Sequence, residues 1–251
     1  MEEAPRLSMN GHLVVLALVA VGMPAAHLAP VAGGETVYFG EFFPLKTPAA
    51  EPTFIDERTV EERGDVLVST HLTRDRTGAT VIHESATHSA DYALIEYTLY
   101  ANQLGQTGTI RVEGDQVSFE RVEGTERHTG TERVEGPVLV GPTLVGYIAR
   151  HLEWLQAGAE LGVRIAVLDR LETYGFKLQA VEAPSGQIRI RMKPSSFFIA
   201  MLVDAMYFTF ETETRKPIRL EGRVSPKVRD EEGWHDFDAR VEYRLIAGAY
   251  R

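Results

Sequence analysis

Residues 187–193 read Gln-Ile-Arg-Ile-Arg-Met-Lys, which sets Ile188, Ile190 and Met192 on one face and Arg189, Arg191 and Lys193 on the other. A period of two with one apolar and one charged face is the pattern of a half-buried antiparallel strand. The same alternation runs through Val163, Ile165 and Val167, and again through Tyr174, Phe176 and Leu178. It recurs at about 205–213, 216–224 and 237–245, with the acidic turn Asp230-Glu231-Glu232-Gly233 between the last two.

Toward the N-terminus, Val37, Phe39 and Phe43 open the pattern, and Pro44 to Pro52 (PLKTPAAEP) breaks it, because three prolines cannot sit in a central strand. Strand-like runs resume at about 53–62, 65–74, 79–88 and 91–101. The word Arg-Val-Glu-Gly then occurs three times, at 111–114, 121–124 and 133–136. Spacings of 10 and 12 suit successive hairpin arms, and the alternating Arg and Glu read as cross-strand pairs on a solvated face rather than as a binding stripe.

One helix interrupts the strands. Pro142 fits its first position, Leu144, Ile148, Leu152 and Leu155 repeat at helical spacing, Val145 and Trp154 widen the apolar face, and Gly158 closes it. A second, short helix is expected after Pro194, capped by Ser195 or Ser196, where Phe197 to Val203 (FFIAMLV) is apolar on all sides. The economical architecture is mainly β: one long curved antiparallel sheet, a half-barrel or clam-like barrel, wrapping the amphipathic helix, with the short apolar helix beside it.

The N-terminus reads as an address. Leu13 to Ala26 (LVVLALVAVGMPAA) is an apolar run of the length of a signal-peptide core, broken by Pro24, and Ala32-Gly33-Gly34 offers a cleavage point with a mature start near Glu35. Glu2 and Glu3 offset Arg6 where such a leader carries positive charge, a flaw that initiation at Met9 would remove. An uncleaved anchor reaching Ala32 and a buried core helix are the competing readings. The expected organisation is a signal peptide over 1–34 and a single β-rich domain over 35–251, periplasmic or secreted, with no membrane span in the mature chain.

A formal charge of −10, with 36 acidic against 26 basic residues, argues against nucleic acid as a partner. The absence of cysteine excludes disulfides, thiolate metal sites and cysteine nucleophiles. His71, His83, His88 and His128 are spread over separate strands, and His83, Glu84, His88 and Asp91 form the nearest approach to a catalytic group. No Walker loop, dinucleotide fingerprint or nucleophile elbow is present. No catalytic residue, metal ligand or cofactor is therefore assigned, and a non-enzymatic role is expected. Asp230 to Glu232 with Asp236 and Asp238 lacks the spacing of a calcium loop.

What remains is an apolar site in the concave face of the sheet. Phe197, Phe198, Met201, Leu202 and Met206, with Trp154 from the longer helix, are the candidate ligand-binding residues, since flexible Met beside Phe suits an apolar chain. A lipid or another apolar molecule is the expected partner. A cell-envelope interaction module, and a hydrolase built from dispersed histidines, are the alternatives.

The order Leu155-Gln156-Ala157-Gly158, Tyr174-Gly175-Phe176 and Arg215-Lys216-Pro217-Ile218-Arg219-Leu220-Glu221-Gly222 resembles an uncharacterised family of exported bacterial proteins with a curved antiparallel sheet. The resemblance covers roughly the C-terminal half. It implies a periplasmic setting and a clam-like or half-barrel fold, broadly similar in shape to the lipoprotein carriers of Gram-negative bacteria, and it transfers no catalytic residue.

Overall fold

The computed structural model describes residues 35–47, 51–196, 200–201 and 203–245. The expected leader and its expected cleavage point, with Phe197, Phe198 and Leu202 of the expected short apolar helix, lie outside the described residues.

Eight strands form a first antiparallel run: β1 (Glu35–Pro44), β2 (Phe54–Arg63), β3 (Val66–Asp75), β4 (Thr80–His88), β5 (Leu94–Ala101), β6 (Gln106–Glu113), β7 (Gln116–Glu123) and β8 (Glu126–Arg133). The chain then makes β9 (Val138–Leu139), α1 (Gly141–Arg150) and α2 (Leu152–Gln156). A second run follows: β10 (Glu160–Val167), β11 (Glu172–Val181), β12 (Gln187–Pro194), β13 (Met206–Glu211), β14 (Pro217–Asp230) and β15 (Gly233–Leu245). All fifteen share one sheet, in the order β8 to β1, then β15 back to β9. The two runs are joined where β1 pairs with β15, Phe42 opposite Val241, and among the described residues only β9 against β10 is parallel. The expected mainly β, curved antiparallel sheet around a helix is what the chain forms.

The turns explain the repeated word. Gly114 and Gly124 have φ of 65° and 59°, in two-residue turns closed by Glu113 opposite Gln116 and Glu123 opposite Glu126. Such turns need positive φ, which glycine supplies without a steric penalty. The third word instead leaves the sheet toward β9. Arg and Glu residues of β5 to β8 pair across strands as expected, Arg111 with Glu96 at 2.8 Å and Arg127 with Glu120 at 3.0 Å.

Curvature brings the two ends of the sheet together without a hydrogen-bonded seam. Gly130 makes the approach possible, because a Cβ there would lie 2.8 Å from the Leu171 carbonyl oxygen. Arg121 donates to the Asp169 carbonyl at 2.8 Å, and Glu132 accepts the Thr173 N–H, so side chains bridge the gap that the ladders leave. The sheet is curved but not closed.

The helical segment fills the concave side. Leu144, Val145, Ile148, Leu152 and Leu155 are all buried, with Phe176, Leu178, Ile190, Phe208 and Val241 in the same cluster. A smaller cluster, including Ile110, Val117 and Phe119, packs on Val138, Val140 and Leu168. The expected single helix is two, broken at His151, whose ring Nδ1 donates to the Tyr147 carbonyl at 2.8 Å. In α2, Leu152 and Leu155 take the inward positions, and Trp154 turns outward at 63% exposure. Trp154 therefore does not line the concave face, contrary to expectation.

The seat of α1 rests on a glycine. A Cβ at Gly146 would stand 2.2 Å from Tyr92 Cε1, and that ring is already stacked on His88 with centroids 5.0 Å apart. Helix propensity alone favours Ala over Gly by about 1 kcal/mol, whereas overpacking costs about 1–3 kcal/mol. Sterics should win. Gly146→Ala is expected to lose about 1–2 kcal/mol in urea unfolding, and the same change in a Tyr92→Ala background should cause no further loss. A stabilised Gly146→Ala single variant would show that the Tyr92 ring swings away freely.

Candidate functional site

Three neighbouring strands put polar residues on the face that their alternation reserves for the core. Arg58 of β2 stands opposite His71 of β3, which stands opposite Glu84 of β4, and Tyr38 of β1 continues the row beyond Arg58. One step along, Asp56 faces Thr73. All six are buried. Burying charge is costly unless it is paired and hydrogen-bonded, so the partners of each group decide what the row can do.

Arg58 and Asp56 satisfy one another. Arg58 Nε donates to Asp56 at 2.6 Å, Nη1 donates to the Tyr38 hydroxyl at 3.2 Å, and the guanidinium lies 5.2 Å and 5.0 Å from the Tyr38 and Tyr243 ring centroids. Thr73 donates to the other Asp56 oxygen at 3.3 Å. Burial pushes the Asp56 carboxyl above its ordinary value despite Arg58. Burial would lower Arg58, yet the neighbouring Tyr243, Tyr38 and Asp56 hold it firmly charged.

Glu84 is held differently. Tyr97 donates to Oε1 at 2.8 Å, and the Ser225 hydroxyl from β14 reaches both oxygens at 3.2 Å and 3.3 Å. The first turn of α1 presses on it at Gly141, where a Cβ would meet Oε1 at 3.3 Å, so the positive end of the helix supports the carboxylate. Burial nevertheless raises its pKa, with Tyr97 opposing. His71 Nδ1 lies 3.9 Å from Glu84 Oε2, beyond hydrogen-bond reach. Burial, and then the charge of Arg58, pushes His71 well below the ordinary histidine value, so at neutral pH it is an uncharged imidazole.

These groups form one wall of a cavity of about 90 Å³ between the sheet and α1. Leu144, Val145, Phe42, Phe208, Leu220 and Met206 supply apolar lining, and Arg223 and Ser225 stand at the β14 side. Arg223 is engaged outward by Asp236 and Asp238. The site is thus amphipathic, with acceptors and one guanidinium on one side and hydrocarbon on the other.

Of the residues read from the sequence as ligand-binding, Met206 lines this cavity, while Met201 is 70% exposed. The histidine group is not assembled. His88 points inward and accepts from Ser69 at 2.8 Å, whereas His83 lies on the opposite face against the Tyr100 ring, and Asp91 pairs with Arg150 at the surface. Asp230 accepts from Glu232 N–H and binds His235 at 2.7 Å, a turn device rather than a cation site. Among the described residues no three His, Asp or Glu side chains converge on a common point suited to a metal.

The row Asp56, Arg58, His71 and Glu84 escaped the sequence reading. Its signal is parity: in β2, β3 and β4 these residues occupy the same alternation as Phe54, Ser69 and Ile82, which are buried too. Polar residues on the core parity of three consecutive strands mark a buried polar row once register is known.

No family model matches the chain, and no curated protein is significantly similar to it. Among solved structures, a β-barrel-like protein of a domain of unknown function, DUF1849, from Brucella abortus is similar over 84% of this chain and 94% of that one, at 9% identity and a TM-score of 0.39. So distant a likeness carries no chemistry across. The polar row must be interpreted on its own geometry.

Among the described residues no helix is long and apolar enough to cross a membrane.

Proposed function

We propose that the protein is an exported, non-enzymatic binding protein that holds a small amphipathic molecule, or the polar end of a larger apolar one, in the cavity between α1 and the β2–β4 wall. The observation that carries this reading is the pairing of a buried polar row with a hydrocarbon lining in one unfilled space. Ligand sites characteristically combine a mostly apolar lining with a few placed polar groups.

Size narrows the ligand. A dry cavity of roughly 150 Å³ accepts benzene, so about 90 Å³ takes a smaller group, not a whole acyl chain. The lipid expected from the apolar run at 197–203 would have to place its chain elsewhere, with only its polar end here.

Native mass spectrometry of the chain from Glu35, purified from its own envelope fraction without detergent, tests the proposal. The expected result is a discrete added mass that organic solvent releases and that Leu144→Phe, which fills the cavity, abolishes. A bare protein mass, together with no saturable binding of small apolar probes, would overturn it in favour of an envelope interaction module.

A further inference from the structure

The charges around the cavity do not balance. Asp56 and Arg58 pair with each other, and Arg223 is matched by Asp236 and Asp238. Glu84 has no Lys or Arg nitrogen within 4.0 Å among the described residues, and its nearest basic group is the imidazole 3.9 Å away. That imidazole has an anomaly of its own. The His71 side chain is only 7% exposed, lines the cavity, and makes no hydrogen bond within 3.5 Å among the described residues. Buried polar groups are seldom left unsatisfied.

One group could supply what each lacks: a positive charge for Glu84, beyond the hydrogen bonds it has from Tyr97 and Ser225, and a donor for His71. An ionised carboxylate only accepts hydrogen bonds, and a neutral imidazole offers one accepting nitrogen. A single atom on the cavity side can sit at normal hydrogen-bond distance from two atoms 3.9 Å apart. An ammonium supplies up to three donors and the compensating positive charge. A carboxylate or phosphate placed there would instead meet Glu84 with like charge, and the Arg58 guanidinium is already committed to Asp56 and Tyr38.

Building on the binding reading above, we infer that the cavity takes a protonated primary amine on a short alkyl chain, the ammonium held between Glu84 and His71 and the chain lying against Leu144, Val145, Phe208 and Leu220. By the same volume comparison, in which benzene places six non-hydrogen atoms in roughly 150 Å³, about four fit. The chain then lies where the wall is hydrocarbon, and the buried carboxylate gains a cationic partner.

The test compares three probes of four non-hydrogen atoms each on the native chain by isothermal titration calorimetry at pH 7: propylamine, 1-propanol and sodium acetate. Propylamine should bind saturably and at least tenfold more tightly than 1-propanol, and acetate should not bind. Glu84→Gln, which keeps the shape and removes the charge, should lower propylamine affinity at least tenfold more than it lowers 1-propanol affinity. If 1-propanol or acetate binds as tightly as propylamine, the cavity binds ligands but the amine inference is wrong. If none of the three binds, the small-ligand form of the binding reading falls with it. The comparison on the native chain decides the matter even if Glu84→Gln does not fold.

Discussion

Arg58→Met should cost about 3–5 kcal/mol of unfolding free energy, because it strands a buried carboxylate rather than merely deleting a contact. Asp56 is 1% exposed, and with Arg58 gone its remaining hydrogen bond is the 3.3 Å one from Thr73. Part of the loss should return when Asp56→Asn is added, since an amide tolerates burial better than an unpaired charge. Arg58→Lys should not rescue the fold fully, because an ammonium cannot reproduce a planar fork set beside the Tyr38 and Tyr243 rings. Urea melts of the two single variants and the double variant form the cycle that isolates the pair. A loss below about 1 kcal/mol for Arg58→Met would place it among ordinary exposed ion pairs and refute its buried role.

Acidification from pH 7.5 to 5.5 should destabilise the fold. Burial, reinforced by Arg58, pushes His71 well below the ordinary histidine value, and burial lowers His88, with the Ser89 carbonyl opposing. The unfolded chain takes up protons near pH 6.5 that the folded imidazoles refuse. Stability present above that pH is therefore lost as pH falls toward the folded values. The slope is at most about 1.4 kcal/mol per pH unit for each histidine that stays neutral. At lower pH two groups act in the opposite sense: burial raises Asp56 and Glu84, so the folded state takes up their protons first and the decline is moderated. Urea midpoints at pH 7.5, 6.5 and 5.5 give the slope, and His71→Gln should make it shallower. Stability that stays flat, or rises, over this range would mean that His71 charges inside the fold and forms an ion pair with Glu84.

Asp56 and Arg58 were passed over in single-strand reading, and His71 and Glu84 were seen without being placed together; the reason is physical. Alternation showed Ile188, Ile190 and Met192 to be inward, and the hairpin glycines Gly114 and Gly124 fixed the register of their own turns, because both signals are local. The helix over α1 and α2 was legible from the spacing of Leu144, Ile148, Leu152 and Leu155, but its break at His151 and the outward turn of Trp154 depend on the neighbouring packing. Met206 was found from composition. Its position in the cavity wall comes from β13 pairing with β12 and β14.

The sequence by itself determined the mainly β class, the turns, the two-residue period of each strand and the amphipathic segment that the sheet wraps, since each follows from steric and hydrophobic preferences within about ten residues. Only the tertiary structure decided that Arg58, His71 and Glu84 stand in one row and that Ser225, 141 positions beyond Glu84, reaches the same carboxylate. Register between strands and curvature of the whole sheet arise from the packing of many elements at once. The chemistry of this cavity is built from contacts that no local stretch of the chain contains.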